Sequence, residues 1–161
     1  GDVYKRQFIY LLIFSCSNID TNKGTIDQIP VPTSIVSFFE NKPEIIRLDS
    51  SYTSEIEIWT QMINFTEKFS DLIDNEINHK SKIKSLSIEL KKIKKETIPG
   101  KYKTSPIIGR IRVVNTYLQK IDSYLLKQET VKEYQMDLKN LVESYNGLIF
   151  QINQRSKEIS N

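Results

Sequence analysis

Two observations predict an all-α fold, a long antiparallel two-helix coiled-coil hairpin. Apolar residues recur at alternating spacings of three and four through residues 58–93 and again through 107–152, which is the heptad spacing of a coiled coil. Residues 51–97 contain no glycine or proline, whereas Pro99 and Gly100 separate the two periodic stretches. A connection of about seven residues between long helices makes them antiparallel neighbours.

The first predicted helix spans residues 51–97. Its apolar seam consists of Ile58, Met62, Phe65, Phe69, Leu72, Glu76, His79, Ile83, Leu86, Leu90 and Ile93. Four further apolar residues widen the stripe in its first half: Trp59, Ile63, Ile73 and Ile77. At 1.5 Å per residue, a helix of about 45 residues forms an arm on the order of 65 Å long.

The second predicted helix begins at Ser105 and Pro106, where a capping hydroxyl precedes a proline that suits the first helical turn. Its seam consists of Ile107, Ile111, Val114, Leu118, Ile121, Leu125, Val131, Tyr134, Leu138, Leu141, Tyr145, Leu148 and Ile152. The seam slips in phase between Leu125 and Val131, where residues 130–133 match a capping box. A split into a third helix is therefore the alternative to one continuous helix, which the lack of glycine and proline there favours. Asn146-Gly147 is a second candidate break.

Two polar residues, Glu76 and His79, interrupt the first seam. A Glu-x-x-His pair on a helix is half of a di-metal site in four-helix bundles, but that site needs a second such pair. The sequence contains one histidine. We therefore expect the pair to fix the register of the helices, and we expect neither a metal nor a cofactor.

The sequence lacks the local motifs of common enzymes. It contains no Gly-x-Ser-x-Gly and no glycine-rich phosphate loop, and it shows no paired catalytic carboxylates in a loop context. The single cysteine, Cys16, excludes an intramolecular disulfide and a cysteine-based metal cluster. We expect a protein without enzymatic activity.

A seven-residue apolar run at residues 8–14 precedes Ser15 and Cys16. The run is far shorter than the roughly 20 residues that cross a bilayer, but it matches the shortest signal-peptide cores. Ile13-Phe14-Ser15-Cys16 resembles a bacterial lipobox, although Phe14 departs from the small residue usual at that position. The resemblance implies a signal peptide at 1–15, a lipid on Cys16 that anchors the protein to a membrane, and a location on the periplasmic or surface face of the cell envelope.

The remaining N-terminal residues divide into three parts. Residues 1–7 resemble translated sequencing-adapter sequence. Residues 16–33 are polar and non-periodic and predict a flexible tether, which resembles that of lipoproteins from the Bacteroidetes lineage. Residues 34–50 carry seven apolar side chains and predict a short segment that packs on the base of the hairpin, 51–161. The other interpretation of the N-terminus is a buried strand or helix with Cys16 in the core.

Charge is distributed unevenly along the sequence. Residues 80–122 carry twelve Lys and Arg against three Asp and Glu, a net of +9, whereas residues 17–79 carry four against eleven, a net of −7. The basic segment includes the predicted hairpin tip, which we expect to contact an anionic partner. The expected contact residues are Lys91, Lys92, Lys94, Lys95, Lys101, Lys103, Arg110 and Arg112.

Two functions fit these observations. The first is a lipid-anchored envelope protein whose hairpin binds a protein or an anionic surface; in architecture it resembles the coiled-coil arms of envelope adaptor proteins and periplasmic helical chaperones. The second is a cytoplasmic coiled coil that binds nucleic acid through its basic tip. Tyr102 is the only aromatic residue among the tip lysines, so base stacking is poorly supported and nucleic acid is the weaker hypothesis. Oligomerisation stays open.

Overall fold

Four α-helices dominate the computed structural model. α1 spans Thr60–Asp74, α2 His79–Lys92, α3 Ser105–Ser123 and α4 Val131–Ser160, and short 3-10 helices lie at Ser50–Tyr52 and Gly100–Tyr102. The structure describes residues 41–52, 56, 59–75, 77–124 and 130–160. Of these, 79% are helical and none lies in a strand, which confirms the predicted all-α class.

Ion pairs show that α1 and α2 run antiparallel. The Lys68 ammonium lies 2.8 Å from the Glu89 carboxylate, near the C-terminal end of α2. One turn further along α1, Asp71 lies 2.9 Å from Lys82, near the N-terminal end of α2. Because a later residue of α1 pairs with an earlier residue of α2, the two helices run antiparallel and form a helical hairpin.

The helices α3 and α4 form a second antiparallel hairpin. Lys120 near the end of α3 pairs with Asp137 near the start of α4 at 2.9 Å. The Arg110 guanidinium, near the start of α3, reaches Gly147 further along α4, where an added Cβ would lie 2.5 Å from its Nη1. Glycine at this position therefore makes room for the arginine, and α4 continues through it without the break that Asn146-Gly147 suggested.

The two hairpins pack together into a four-helix bundle. α2 contacts α3, and aromatic side chains join α1 to α4. The rings of Phe69 and Tyr145 stack with centroids 3.7 Å apart and planes within 7°, and Phe65 lies 6.1 Å from the same tyrosine. Lys80 and Ile83 near the start of α2 line one small cavity with Ile121 and Asp122 at the end of α3, so these two helices are antiparallel as well. Consecutive helices therefore alternate in direction, which is the up-down-up-down arrangement of a four-helix bundle.

The prediction of one continuous helix over residues 51–97 is wrong, because the chain reverses between α1 and α2. Asn78 adopts left-handed backbone angles, with φ 59° and ψ 33°. Asparagine tolerates this conformation better than most residues. The side chain of Asn75 accepts the backbone N–H of Ile77, and Lys82 donates to the carbonyls of Asp71 and Asn75. Two asparagines and a lysine thus end α1 without glycine or proline.

This reversal divides the first predicted seam between two short helices. α1 and α2 have 15 and 14 residues, so each is about 20 Å long and the predicted 65 Å arm does not form. His79 is the first residue of α2 and not a polar interruption in mid-helix, while Glu76 lies outside the described residues. Ile77, which was predicted to widen the apolar stripe, lies in the turn and is 64% exposed.

The second predicted helix is also divided, as the phase slip and the capping box allowed. α3 ends at Ser123 and α4 begins at Val131. The first helical residue of α3 is Ser105, and the N-cap position is occupied by Thr104, one residue earlier than expected. The prediction of one continuous helix, which rested on the lack of glycine and proline, is therefore wrong. The chain leaves the helical conformation at Tyr124, whose backbone is extended.

The seam residues that the structure describes nevertheless form the core. The buried apolar residues of all four helices belong to one cluster, and its largest fully buried side chains include Trp59, Tyr102 and Tyr145. The described residues all lie within one compact unit, Val31–Asn161. Each helix therefore contributes one apolar face to a shared interior, as the spacing of three and four residues predicts.

Truncation of a core side chain tests this packing. Leu86 is fully buried on α2, whereas Ile88 on the same helix is 51% exposed. Leu86→Ala should lower the free energy of unfolding by about 2–5 kcal/mol, and Ile88→Ala should change it by only about 0.5 kcal/mol. Denaturant titration followed by the fluorescence of Trp59, the only tryptophan, measures both. Equal losses in the two variants would contradict the assigned faces of α2.

Candidate functional site

The candidate site is the connection between α2 and α3, residues 91–104, which we call the basic loop. It carries six lysines against one glutamate, a net of +5 within 14 residues. All six lysine side chains are exposed: Lys91, Lys92, Lys94, Lys95, Lys101 and Lys103. The loop therefore presents a dense and fully exposed positive charge.

Buried residues inside the loop point its lysines outward. Ile93 is 7% exposed, Ile98 is 5% exposed and Tyr102 is fully buried. Thr97 fixes the turn between the two isoleucines, because its backbone N–H donates to the Lys94 carbonyl and its Oγ1 accepts the Lys94 N–H, each at 2.9 Å. The lysines alternate with these anchors, so the loop presents its charge on a defined backbone.

Three contacts attach the second half of the loop to the bundle. The ring of Tyr102 stacks on Trp59 with centroids 5.5 Å apart, and its hydroxyl lies 2.9 Å from the Ser156 hydroxyl on α4. Arg155 donates from Nε to the carbonyl of Lys101 at 2.9 Å. The loop is therefore held by the residue before α1 and by the C-terminal part of α4.

The ion pairs of the loop leave it with an excess of positive charge. Lys92 lies 3.0 Å from Glu89, which also pairs with Lys68. Hydrogen bonds from Lys68 and then Lys92 lower the pKa of the Glu89 carboxyl, so it stays ionised between two cations. Within the described residues no ion pair involves the other lysines of the first half of the loop, Lys91, Lys94 and Lys95, and Lys103 has none either.

Two of the eight predicted contact residues, Arg110 and Arg112, lie outside the basic loop and point in different directions. Arg110 and Arg112 are both exposed on α3, but residues two apart on a helix point about 200° apart. Arg110 faces α4 at Gly147, so Arg112 points to the other side of α3. The structure therefore groups the six lysines in one loop and places the two arginines on separate flanks.

A buried polar cluster lies at the opposite end of the bundle. His79 Nδ1 is hydrogen-bonded to the Tyr134 hydroxyl at 2.5 Å. Tyr124 donates its hydroxyl to Asp137, which is 3% exposed and also accepts from Lys120 at 2.9 Å. Burial, and secondarily the charge of Lys82, lower the pKa of His79 from 6.5 to about 4. The histidine is thus neutral near pH 7.

Sequence reasoning missed the partners in this cluster. Tyr134 was predicted as an apolar seam residue, and Asp137 was not singled out, although a carboxylate beside Leu138 on a core-facing helix turn was a usable signal.

The two residues that were considered as metal ligands are Glu76 and His79. The Nδ1 atom of His79 is hydrogen-bonded to the Tyr134 hydroxyl, and Glu76 lies outside the described residues. Within the part of the chain that the structure describes, no group of three or more His, Cys, Asp and Glu residues could hold an ion.

Several predictions concern residues 1–40, which lie outside the described residues. These are the signal peptide, the lipidation of Cys16, the tether and the first part of the 34–50 segment. Among the helices that are described, none has the length and apolarity to cross a membrane. Comparison of the chain with models of known protein families, with curated proteins and with solved structures gives no match.

The low pKa of His79 predicts a pH dependence of stability. Between pH 6.5 and pH 4 the unfolded chain binds a proton that the folded chain does not, so the free energy of unfolding should fall as the pH is lowered through this window. At about 1.4 kcal/mol per pKa unit, the loss attributable to His79 is roughly 3 kcal/mol. Below about pH 4 this contribution levels off.

The His79→Gln variant isolates this contribution from that of the carboxylates. Unfolding of wild type and variant should be compared at pH 7 and pH 4.5. The free energy difference between them should be smaller at pH 4.5, because only the wild type loses the histidine contribution. A difference that does not change with pH would contradict the burial of a neutral His79.

Proposed function

We propose that this chain is a non-enzymatic interaction protein of the bacterial cell envelope, anchored by a lipid on Cys16, whose helical bundle binds an anionic partner through the basic loop. The observation that carries the interaction is the loop itself: six exposed lysines on a backbone attached to the bundle. The lipobox-like Ile13-Phe14-Ser15-Cys16 supports the anchor.

Crowding of like charges supports a binding role for the loop. Six lysines within 14 residues repel each other, and Glu96 is the only acidic residue among them. An anionic partner would relieve this repulsion, and the attached backbone would lose little conformational freedom on binding. Because the lysines are exposed on the surface of the loop, we propose diffuse electrostatic contacts with a flat or convex anionic surface.

The direction of the bundle favours a partner away from the anchoring membrane. Lys42 donates to the Asp74 carbonyl at the C-terminal end of α1, which is the end of the bundle opposite to the basic loop. A helix of 30 residues such as α4 is about 45 Å long. The predicted tether, residues 16–33, has 18 residues, and a flexible chain of that length has a mean span of only about 21–25 Å. We therefore favour an acidic protein or an opposing anionic surface as the partner.

Charge reversal tests the basic loop. Lys91, Lys94, Lys95 and Lys103 should be changed together to Glu, with Lys92 kept because it pairs with Glu89. The matched control reverses four exposed lysines outside the loop, namely Lys80, Lys84, Lys132 and Lys139. The loop variant should lose binding to vesicles that contain phosphatidylglycerol, whereas the control, with the same change in net charge, should retain most of it.

Co-sedimentation at rising salt provides the measurement. Binding by the wild type should fall steeply with ionic strength, because exposed charges are screened over about 8–10 Å near physiological salt. If the loop variant binds as well as the wild type, the basic loop is not the contact surface, and if no protein binds at low salt, an anionic lipid surface is not the partner.

The anchor is tested separately. Cys16→Ala should move the protein from the membrane fraction to the supernatant when it is expressed in a bacterium that processes lipoproteins, because the acylated residue is lost. The mass of the mature wild-type protein should correspond to cleavage before Cys16 plus lipid. A variant that stays with the membranes, or a mature chain that retains residues 1–15, would refute the anchor.

A further inference from the structure

Residues 42–49, which we call the strap, are held along α4 by asparagine side chains. The Asn146 amide donates from Nδ2 to the carbonyl of Glu44 at 2.9 Å and accepts the backbone N–H of Ile46 at 2.8 Å. One side-chain amide therefore binds the carbonyl before Ile45 and the N–H after it. A residue of a neighbouring parallel strand makes the same two bonds, so Asn146 acts as a strand partner for Ile45.

Asn153 repeats this arrangement two helical turns further along α4. It donates to the carbonyl of Arg47 at 2.9 Å and accepts the N–H of Asp49 at 3.0 Å, so its amide is centred on Leu48. The same two bonds at two positions make chance contact a poor explanation. The pair recognises backbone groups, which every non-proline residue carries.

The spacing of the two asparagines matches the spacing of the strap. Seven residues on a helix rise about 10.5 Å, and the three residues from Ile45 to Leu48 rise about 10 Å when extended. Ile45 and Leu48 pack half-buried against the core, whereas Glu44, Ile46, Arg47 and Asp49 are exposed. The surface of α4 that holds the strap, which we call the seat, therefore selects an extended chain with two apolar residues three positions apart.

We propose that the seat also accepts the strap of a second copy of this chain, so that two molecules exchange straps. The second copy is the occupant that the structure supports, because its residues 42–49 would make the same four asparagine bonds and the same two apolar contacts. Exchange between identical chains is reciprocal and closes as a two-fold dimer. Ile56 is buried in the core, and the six positions between Asp49 and Ile56 correspond to about 20 Å of extended chain.

A labelled peptide tests the seat in the full-length chain. The peptide comprises residues 41–51, and the protein carries Ile45→Ser and Leu48→Ser, which weaken its own strap and leave the seat intact. This protein should bind the peptide about tenfold or more tightly than the wild type, whose attached strap competes at an effective concentration on the order of millimolar. Fluorescence anisotropy measures the affinity, and the emission of Trp59 reports whether the protein is folded. Should the double variant unfold, Ile45→Ala alone weakens the strap in the same way.

Two further variants locate the binding. Adding Asn146→Ala and Asn153→Ala to the weakened chain should abolish peptide binding, whereas adding Asn140→Ala and Gln154→Ala, which remove amides of α4 that make no hydrogen bond to the strap, should not. The charges of the peptide cancel, so binding should survive high salt and reversal of the basic loop. These two results separate the seat from the proposed function of the loop.

The wild type should itself form a dimer whose share rises with protein concentration, measured by light scattering, and the Asn146→Ala, Asn153→Ala variant should not. If the Ile45→Ser, Leu48→Ser chain is folded but does not bind the peptide, the proposal for the seat is wrong. It is also wrong if the chain binds the peptide equally well after both asparagines are removed. A wild-type chain that is monomeric at every concentration would overturn the exchange.

Discussion

The arrangement of the bundle depends on the reversal of the chain between α1 and α2. The left-handed backbone of Asn78 and the side-chain hydrogen bond of Asn75 turn α2 back along α1. Without this reversal, residues 60–92 would extend as one helix whose apolar face needs a long partner. With it, two antiparallel hairpins share one core, and Phe69 reaches the ring of Tyr145. The reversal also places the basic loop at the opposite end of α2.

The two ends of the bundle therefore differ in chemistry. At one end buried polar groups are paired: His79 with Tyr134, and Asp137 with the half-buried Tyr124 and the exposed Lys120. Such a cluster costs desolvation and is retained only where its members bind each other, so it specifies packing more than it offers binding. At the other end the charged groups are exposed on an attached loop. The proposed interaction uses this second end, and the strap follows α4 between them.

The sequence predicted the buried faces far better than the turns. The spacing of three and four residues marks a core-facing side chain whether its helix has 14 residues or 47, so residues such as Leu86 and Leu118 were identified correctly. The turn after Asp74 was missed because only glycine and proline were treated as helix breakers, whereas asparagine also adopts left-handed angles. The lysines of the basic loop were singled out from local charge density, and the structure shows that all six are exposed. The hydrogen bonds of Asn146 and Asn153 join residues about one hundred positions apart in the sequence. The spacing of apolar residues along the chain does not reveal such contacts.

The distance between residues 67 and 91 tests the central claim, that the chain reverses at Asn75–Asn78. Glu67 and Lys91 are exposed and can be replaced by spin-labelled cysteines in a Cys16→Ser background. Packed antiparallel helices have axes 8–10 Å apart, so the reversed chain should give a label distance below about 25 Å by pulsed electron paramagnetic resonance. A continuous helix places 24 residues between the labels, and a distance of about 36 Å would contradict the reversal.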